Sequence, residues 1–293
     1  MIKTTLFMFL SFFIQPVLSV SADSKPLPEL NSFLQEIHKH LHSNWIVQSQ
    51  YTYTEKSIER QLDSNGKLKK TETKFYEVYP SADEQFTYKK LISQDDTPAS
   101  AGAINKGYND YGRRRQEWQR RSEQENADLK RHREEKEVEA KRKEEDSVNE
   151  AFRLYKITMI GRDQMEGVPV IGLSFEPRPD YEPKTEGGKI LMKVSGKAWF
   201  SEEDHEYVRI EAELKDSLSF GLGFIVRLNK GTHMIFQRRK ISKDVWLPLV
   251  SHFEGTGKLL FLKGFRIDRE TIYSNYHKSS AETYFKYLSQ NKP

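Results

Sequence analysis

The sequence predicts an α+β fold: a large curved antiparallel sheet, an open half-barrel, with a helix on its concave face and a long charged helical insert. Three observations predict it. Helical periodicity is confined to one stretch near the start and to one charged segment. Around that segment run β-rich stretches of alternating character, joined by short turns. Between residues 107 and 150 the composition shifts to charged, strong helix formers.

In the 293-residue chain Lys3 precedes an apolar run from Leu6 to Val20, broken only by Ser11, Gln15, Pro16 and Ser19. Small residues close it at Val20 to Ala22. A basic start, a short apolar run and an A-x-A-like end read as a secretory signal, residues 1–22, cleaved near Ala22. The run is shorter than the roughly 20 apolar residues a spanning helix needs. Residues 23–293 then read as a single domain, with no later apolar stretch long enough to span a membrane.

Leu30, Phe33, Leu34, Ile37 and Leu41 recur at spacings of three and four, the stripe of an amphipathic helix, with Pro26 and Pro28 before it and Asn31 or Ser32 near its start. "WIVQSQYTYTEKSIERQL" and "LKKTETKFYEVYP" flank Asn65-Gly66, whose tolerance of positive φ marks a type I′ hairpin turn. Phe86 to Ile92 reads as a further short strand. The segment 107–150 pairs opposite charges at i,i+4, Arg121 with Glu125, Lys130 with Glu134, Glu137 with Lys141 and Glu139 with Lys143. Each adds about 0.2–0.5 kcal/mol to an exposed helix. Apolar positions are too sparse for a coiled-coil seam, and Trp118 and Leu129 are placed to pin a solvated helix to the body. Strands are expected at Ala151 to Ile160, Val168 to Phe175, Lys189 to Phe200, Tyr207 to Leu214, Thr232 to Ile241, Val245 to Phe253 and Leu259 to Tyr273, with a turn around Gly167 and a Pro/Gly-rich break at "EPRPDYEPKTEGG".

Chemistry-bearing motifs are weak, and a non-catalytic protein without metal or cofactor is expected. The absence of cysteine excludes a disulfide framework, Cys-based zinc and a lipid-modified cysteine. Net charge is only +4, and the acids that follow "GRRRQEW" cancel its charge, so neither steering nor a nucleic-acid partner is implied. His38 and His42 could share a helix face, but the HExxH glutamate and a third ligand are missing. No G-x-S-x-G occurs, and "FGLGF" (Phe220 to Phe224) lacks the third glycine of a nucleotide loop. Glu202, Glu203, Asp204 and His205 are adjacent in a turn and cannot by themselves converge on one substrate atom.

Alternation explains that last cluster. In "GKAWFSEEDHEYVRIEAEL", Gly196 to Leu214, one face of the first strand carries Ala198 and Phe200, continuing Ile190, Met192 and Val194, and the other carries Lys193, Ser195, Lys197 and Trp199. In the second strand Val208, Ile210, Ala212 and Leu214 oppose Tyr207, Arg209, Glu211 and Glu213. Period two describes adjacent strands with one buried and one wet side, and makes "SEEDHE" a solvated bend.

The same stretch, with "GLGF", "KGTHMIFQRRKISKDVWLPLVSHFEG" and "GFRIDRETIYSNY", resembles a group of exported bacterial proteins related to the outer-membrane lipoprotein-sorting superfamily, the LolA- and LolB-like half-barrels. The resemblance rests on Trp199 to Asp204, Val208 to Glu211 and Trp246 to Pro248, and covers mainly Phe152 to Tyr276. It implies an open curved sheet with a helical lid over an apolar cavity, in proteins that carry acylated lipoproteins or other lipids across the periplasm or sense them. The charged insert is foreign to the small carriers, and none of their cargo-handling residues is matched here. A soluble periplasmic protein is therefore expected, binding an acyl chain, lipid or lipoprotein at Val194, Phe200, Ile210, Leu214 and Phe224. The alternative is an envelope interaction or regulatory module that uses the charged helix and has a filled core.

Overall fold

Among the described residues the first strand lies against the last, which places the N-terminal hairpin inside one continuous sheet. The structure, a computed structural model, describes residues 25–41, 45–63, 66–81, 86–220, 226–259 and 264–279. The expected signal sequence, His42, Asn65 and Phe224 lie outside them. Helix α1 (Leu30–His40) and a short turn of helix α2 (Trp45–Gln48) precede strands β1 (Tyr51–Leu62), β2 (Leu68–Tyr79), β3 (Tyr88–Gln94) and β4 (Thr97–Pro98). The insert follows as α3 (Ala101–Glu123) and α4 (Ala127–Leu154), then β5 (Tyr155–Met165), β6 (Val168–Pro177), α5 (Glu186–Leu191), β7 (Val194–Ser201) and β8 (Tyr207–Leu214). The remaining strands are β9 (Leu218–Phe220), β10 (Val226–Leu228), β11 (His233–Ser242), β12 (Val245–Leu259) and β13 (Gly264–Lys278). The sheet runs β4-β3-β2-β1-β13-β12-β11-β8-β7-β6-β5, antiparallel throughout, with the small β9–β10 ribbon attached to β12. Among the described residues it does not close into a barrel, because β4 and β5 are both edges there. No helix among the described residues is long and apolar enough to cross a membrane.

Local chemistry accounts for most element ends. Glu29, not Asn31 or Ser32, caps α1: its carboxylate accepts from the Asn31 and Ser32 backbone N–H groups at 2.9 and 2.7 Å. The β1–β2 hairpin turns at Gly66, φ +83°. Glu166-Gly167 and Asp95-Asp96 each join paired strands with both residues at positive φ, the type I′ geometry that matches strand twist.

The insert is two helices rather than one. Gln124 caps the end of the first, and Asn126 starts the second by accepting from the Leu129 N–H at 2.9 Å. Glu125 reaches across this break to Arg133, which also holds Glu137, so the Arg121–Glu125 and Glu137–Lys141 pairs expected from spacing give way to these. Trp118 does pin α3, its ring edge-on to Phe86 at 5.3 Å, whereas Leu129 is 57% exposed and pins nothing. The helices dock at opposite edges of the sheet, α3 on β3 and α4 on α5 and β5. At 1.5 Å per residue they reach roughly 35 and 42 Å.

Four strand boundaries differ from the expectation. Trp45–Gln48 is helical, and so is Glu186–Leu191, which removes Lys189 to Leu191 from the strand containing Phe200. Helix α4 extends to Leu154 and takes the first residues of the expected strand at Ala151. Strand β12 runs through "EGTGKL" instead of stopping at Phe253, and the chain from Leu259 to Tyr273 is divided between β12 and β13. Gly255 and Gly257 permit this: a side chain on Gly255 would strike Thr232, and one on Gly257 would strike the Arg227 carbonyl and the Phe265 ring.

Candidate functional site

Cross-strand register assigns one set of side chains to the concave face. Ile157↔Phe175, Met159↔Leu173, Leu173↔Ala198, Ile171↔Phe200 and Ala198↔Ile210 line up across β5 to β8, and Ile210↔Phe236, Phe236↔Ser251, Ser251↔Thr271 and Glu55↔Tyr273 carry the face on to β1. Its chemistry changes along this row. From β5 to β8 it is aliphatic and aromatic, across β11 and β12 it carries Met234, Phe236 and Phe253, and from β13 to β3 it carries tyrosines and charged groups such as Glu55 and Lys89.

Helix α1 lies over the aliphatic half. Phe33 and Ile37, 3% and 1% exposed, join Ile171, Leu173, Ala198 and Phe200 in one cluster. Each Phe, Ile or Leu among them contributes about 1.5–3 kcal/mol by leaving water. Beside this contact α1, the end of α4 and α5 enclose a pocket of about 640 Å³ against the sheet. Its walls are Leu34, Ile37 and Leu41 from α1, Val148, Ala151 and Phe152 from α4, Ile190 and Leu191 from α5, and Ile157, Leu173, Phe175, Val194, Ala198, Phe200, Ile210 and Ala212 from the strands. Glu144 and Ser147 of α4 add polar atoms.

The pocket wall formed by α5 depends on a buried carboxylate. Glu150 of α4 is fully buried and accepts from the Thr185 N–H at 3.0 Å, the Lys184 N–H, the Thr185 hydroxyl and Tyr181 Oη. Burial alone would raise its pKa, but these donors outweigh it and hold the carboxyl below its ordinary value. Gly187 and Gly188 give α5 its close approach, since a Cβ on either would collide with Ser147 or Glu150. The stretch "EPRPDYEPKTEGG", read only as a break, is thus the clamp that holds α5 to α4.

Of the residues singled out from sequence, the structure brings Val194, Phe200 and Ile210 together on the pocket wall. Leu214 is 1% exposed and is not part of that wall, and Phe224 lies outside the described residues. The face assignment fails at two residues, Tyr207 and Val208. A bulge between Trp199 and Phe200 pairs Phe200 with Tyr207 and Trp199 with Arg209. Tyr207 therefore packs with the concave cluster, and Val208 joins Val170, Trp246 and Trp199 instead. One extra residue reverses alternation on its far side, which a reading of period two cannot detect.

The acidic turn is not a solvated bend. Glu202 receives Arg162 at 2.8 and 3.0 Å and Lys25 at 2.9 Å, while Arg162 also donates to the Lys25 and Pro26 carbonyls. The Arg162 hydrogen bonds bring the Glu202 carboxyl down to about 2 against the opposing effect of burial, with Lys25 assisting. Asp204 pairs with Lys240 at 2.8 Å, and Glu206 with Arg238, whose guanidinium lies 4.1 Å from the Tyr207 ring centre. The turn fastens the lead into α1 and ties β8 to β11; His205, at φ +57°, sets its ring 5.3 Å from Phe33 and 6.2 Å from His40. His38 donates its Nε2–H to Asn149 Oδ1 at 2.7 Å and meets the Phe152 edge, joining α1 to α4. Among the described residues no group of three His, Asp or Glu side chains is placed to hold a metal.

Comparison with known proteins adds little to this geometry. No family model and no curated sequence matches the chain. Among solved structures, the crystal structure of MucB in complex with MucA(peri) aligns over 86% of this chain and 100% of that one, at 7% identity and a TM-score of 0.24.

Proposed function

We propose that this is an exported, periplasmic binding protein, non-catalytic, that holds an acyl chain or another hydrophobic ligand as carrier or sensor. The carrying observation is the pocket beneath α1, α4 and α5, walled by aliphatic and aromatic side chains from three helices and four strands. A volume of about 640 Å³ lies in the range of small-molecule sites, which are mostly apolar with few polar groups. The residues assigned to the ligand are Val194, Phe200 and Ile210 from the sheet and Leu34 and Phe152 from the helices. Export rests on the apolar run before Ala22.

Native mass spectrometry of the protein purified from the envelope, with uptake of a fluorescent fatty acid, tests the reading. Co-purified lipid and saturable uptake are expected, both lost in Ile210→Trp, which fills the pocket. Ile190→Glu, at a site 43% exposed, charges the pocket edge without disturbing the core and is expected to weaken uptake at least tenfold. A wild-type protein that carries no lipid or lipoprotein and takes up no fatty acid overturns the proposal.

A further inference from the structure

The polar half of the concave face holds a second cavity, of about 890 Å³, between α3 and strands β1, β3 and β13. Three tyrosines line it, Tyr53, Tyr88 and Tyr273, the first of which contacts Tyr273 and Tyr276 at ring distances of 5.8 and 5.4 Å. Two ion pairs also stand in its wall. Glu55, 7% exposed, holds Lys89 at 2.7 Å across the strands, and Asp110 holds Arg113 at 3.0 Å on α3. Gln48 and Arg114 add further donors and an acceptor.

These groups select a class of ligand. An apolar chain would displace water from the Lys89, Asp110 and Arg113 charged groups without replacing its hydrogen bonds, at about 1–3 kcal/mol for each group left unsatisfied. A strongly anionic ligand would face Glu55 and Asp110, and a cation would face Lys89, Arg113 and Arg114. A neutral ligand that both donates and accepts, and that has an apolar C–H face to lie on the partly exposed Tyr273, meets these groups without displacing an ion pair. We propose that this cavity is a carbohydrate-binding site for a short neutral glycan, separate from the apolar pocket. The two sites lie on one face, with β8 and β13 three strand spacings apart, about 14 Å. Phe236, 47% exposed, lies between them.

Gly107 provides the test. It lies on α3 in the cavity wall, in ordinary helical conformation, and a Cβ there meets nothing within 4 Å. Gly107→Phe therefore fills the cavity while improving helix propensity. Chitotriose, maltotriose and cellotriose are titrated into the full chain by calorimetry and saturation-transfer NMR, with inorganic phosphate as the anionic control. The proposal expects saturable binding of at least one trisaccharide, weakened tenfold or more by Gly107→Phe and by Asp110→Ala, with fatty-acid uptake unchanged in both. Failure of all three sugars to bind the wild type overturns it. So does sugar binding that Gly107→Phe leaves intact, and so does phosphate binding that Gly107→Phe abolishes while no sugar binds.

Discussion

The Glu150 carboxylate occupies the space that a side chain on Gly188 would need, so α4 and α5 touch through a buried charge and a bare backbone. Gly188→Ala is expected to cost about 1–3 kcal/mol by overpacking. Glu150→Gln, which turns an amide NH2 toward backbone donors, is expected to cost about 2–3 kcal/mol. Because the two residues share one contact, the double variant Glu150→Ala/Gly188→Ala should cost less than the sum of its single changes. Urea unfolding of the four proteins checks this; strict additivity would mean that the contact carries no coupling.

Glu202 gives the fold an acid-sensitive fastening. Its folded pKa, about 2, lies below the unfolded value of about 4.5, so its contribution is complete above pH 4.5 and is lost as pH falls toward 2. Glu202→Gln is expected to lower stability by about 1–2 kcal/mol at pH 7 and by nothing measurable near pH 2. Thermal unfolding of both proteins across that range reads the difference.

His205 acts in a neighbouring window. Burial lowers its pKa, Glu36 and Asp204 oppose this, and His40 and Lys39 reinforce it. A base whose folded pKa lies below its unfolded value stabilises fully above that unfolded value, near 6.5, and loses the contribution as pH falls below it. Amide protection factors in α1, corrected for the intrinsic pH dependence of exchange, should therefore fall as pH drops from 7 to 5. His205→Asn, which tolerates the positive φ, should flatten that dependence.

Phe236 separates folding from binding. It is 47% exposed on the concave face, so Phe236→Ser should change stability by no more than about 0.5 kcal/mol. If a long acyl chain leaves the apolar pocket across β11, its affinity should fall severalfold in this variant while that of a short chain is unchanged. Competition between decanoate and palmitate for a fluorescent probe measures both.

Period two was enough to place Ala198, Phe200, Ile210 and Ala212 on one buried face, because burial of one side fixes register. The stripe from Leu30 to Leu41 likewise announced the helix that covers them. Other features left no such mark. The bulge beside Trp199 adds one residue without any distinctive composition. The break between α3 and α4 was hidden because a helix charged on every side has no stripe to interrupt, although Asn126 is a favoured cap. Gly187, Gly188, Gly255 and Gly257 looked like turn residues, and their reason lies in chain segments that approach them from elsewhere in the sequence. The partners of Glu202, Asp204 and Glu206 were invisible for the same reason.

The register from Tyr51↔Lys278 to Arg60↔Asp268 also sets an order of events. Strand β13 is the keystone between two sub-sheets, β4-β3-β2-β1 on one side and β12 to β5 on the other. Until it arrives, the hairpin made first keeps an unsatisfied edge through the synthesis of some 200 further residues, since Arg60 meets Asp268 across 208 positions. Such distant pairing closes late and slowly. A cut or a stop before Gly264 would leave the two sub-sheets as separate leaves, hinged only by the α3–α4 arm, each with a raw edge open to aggregation.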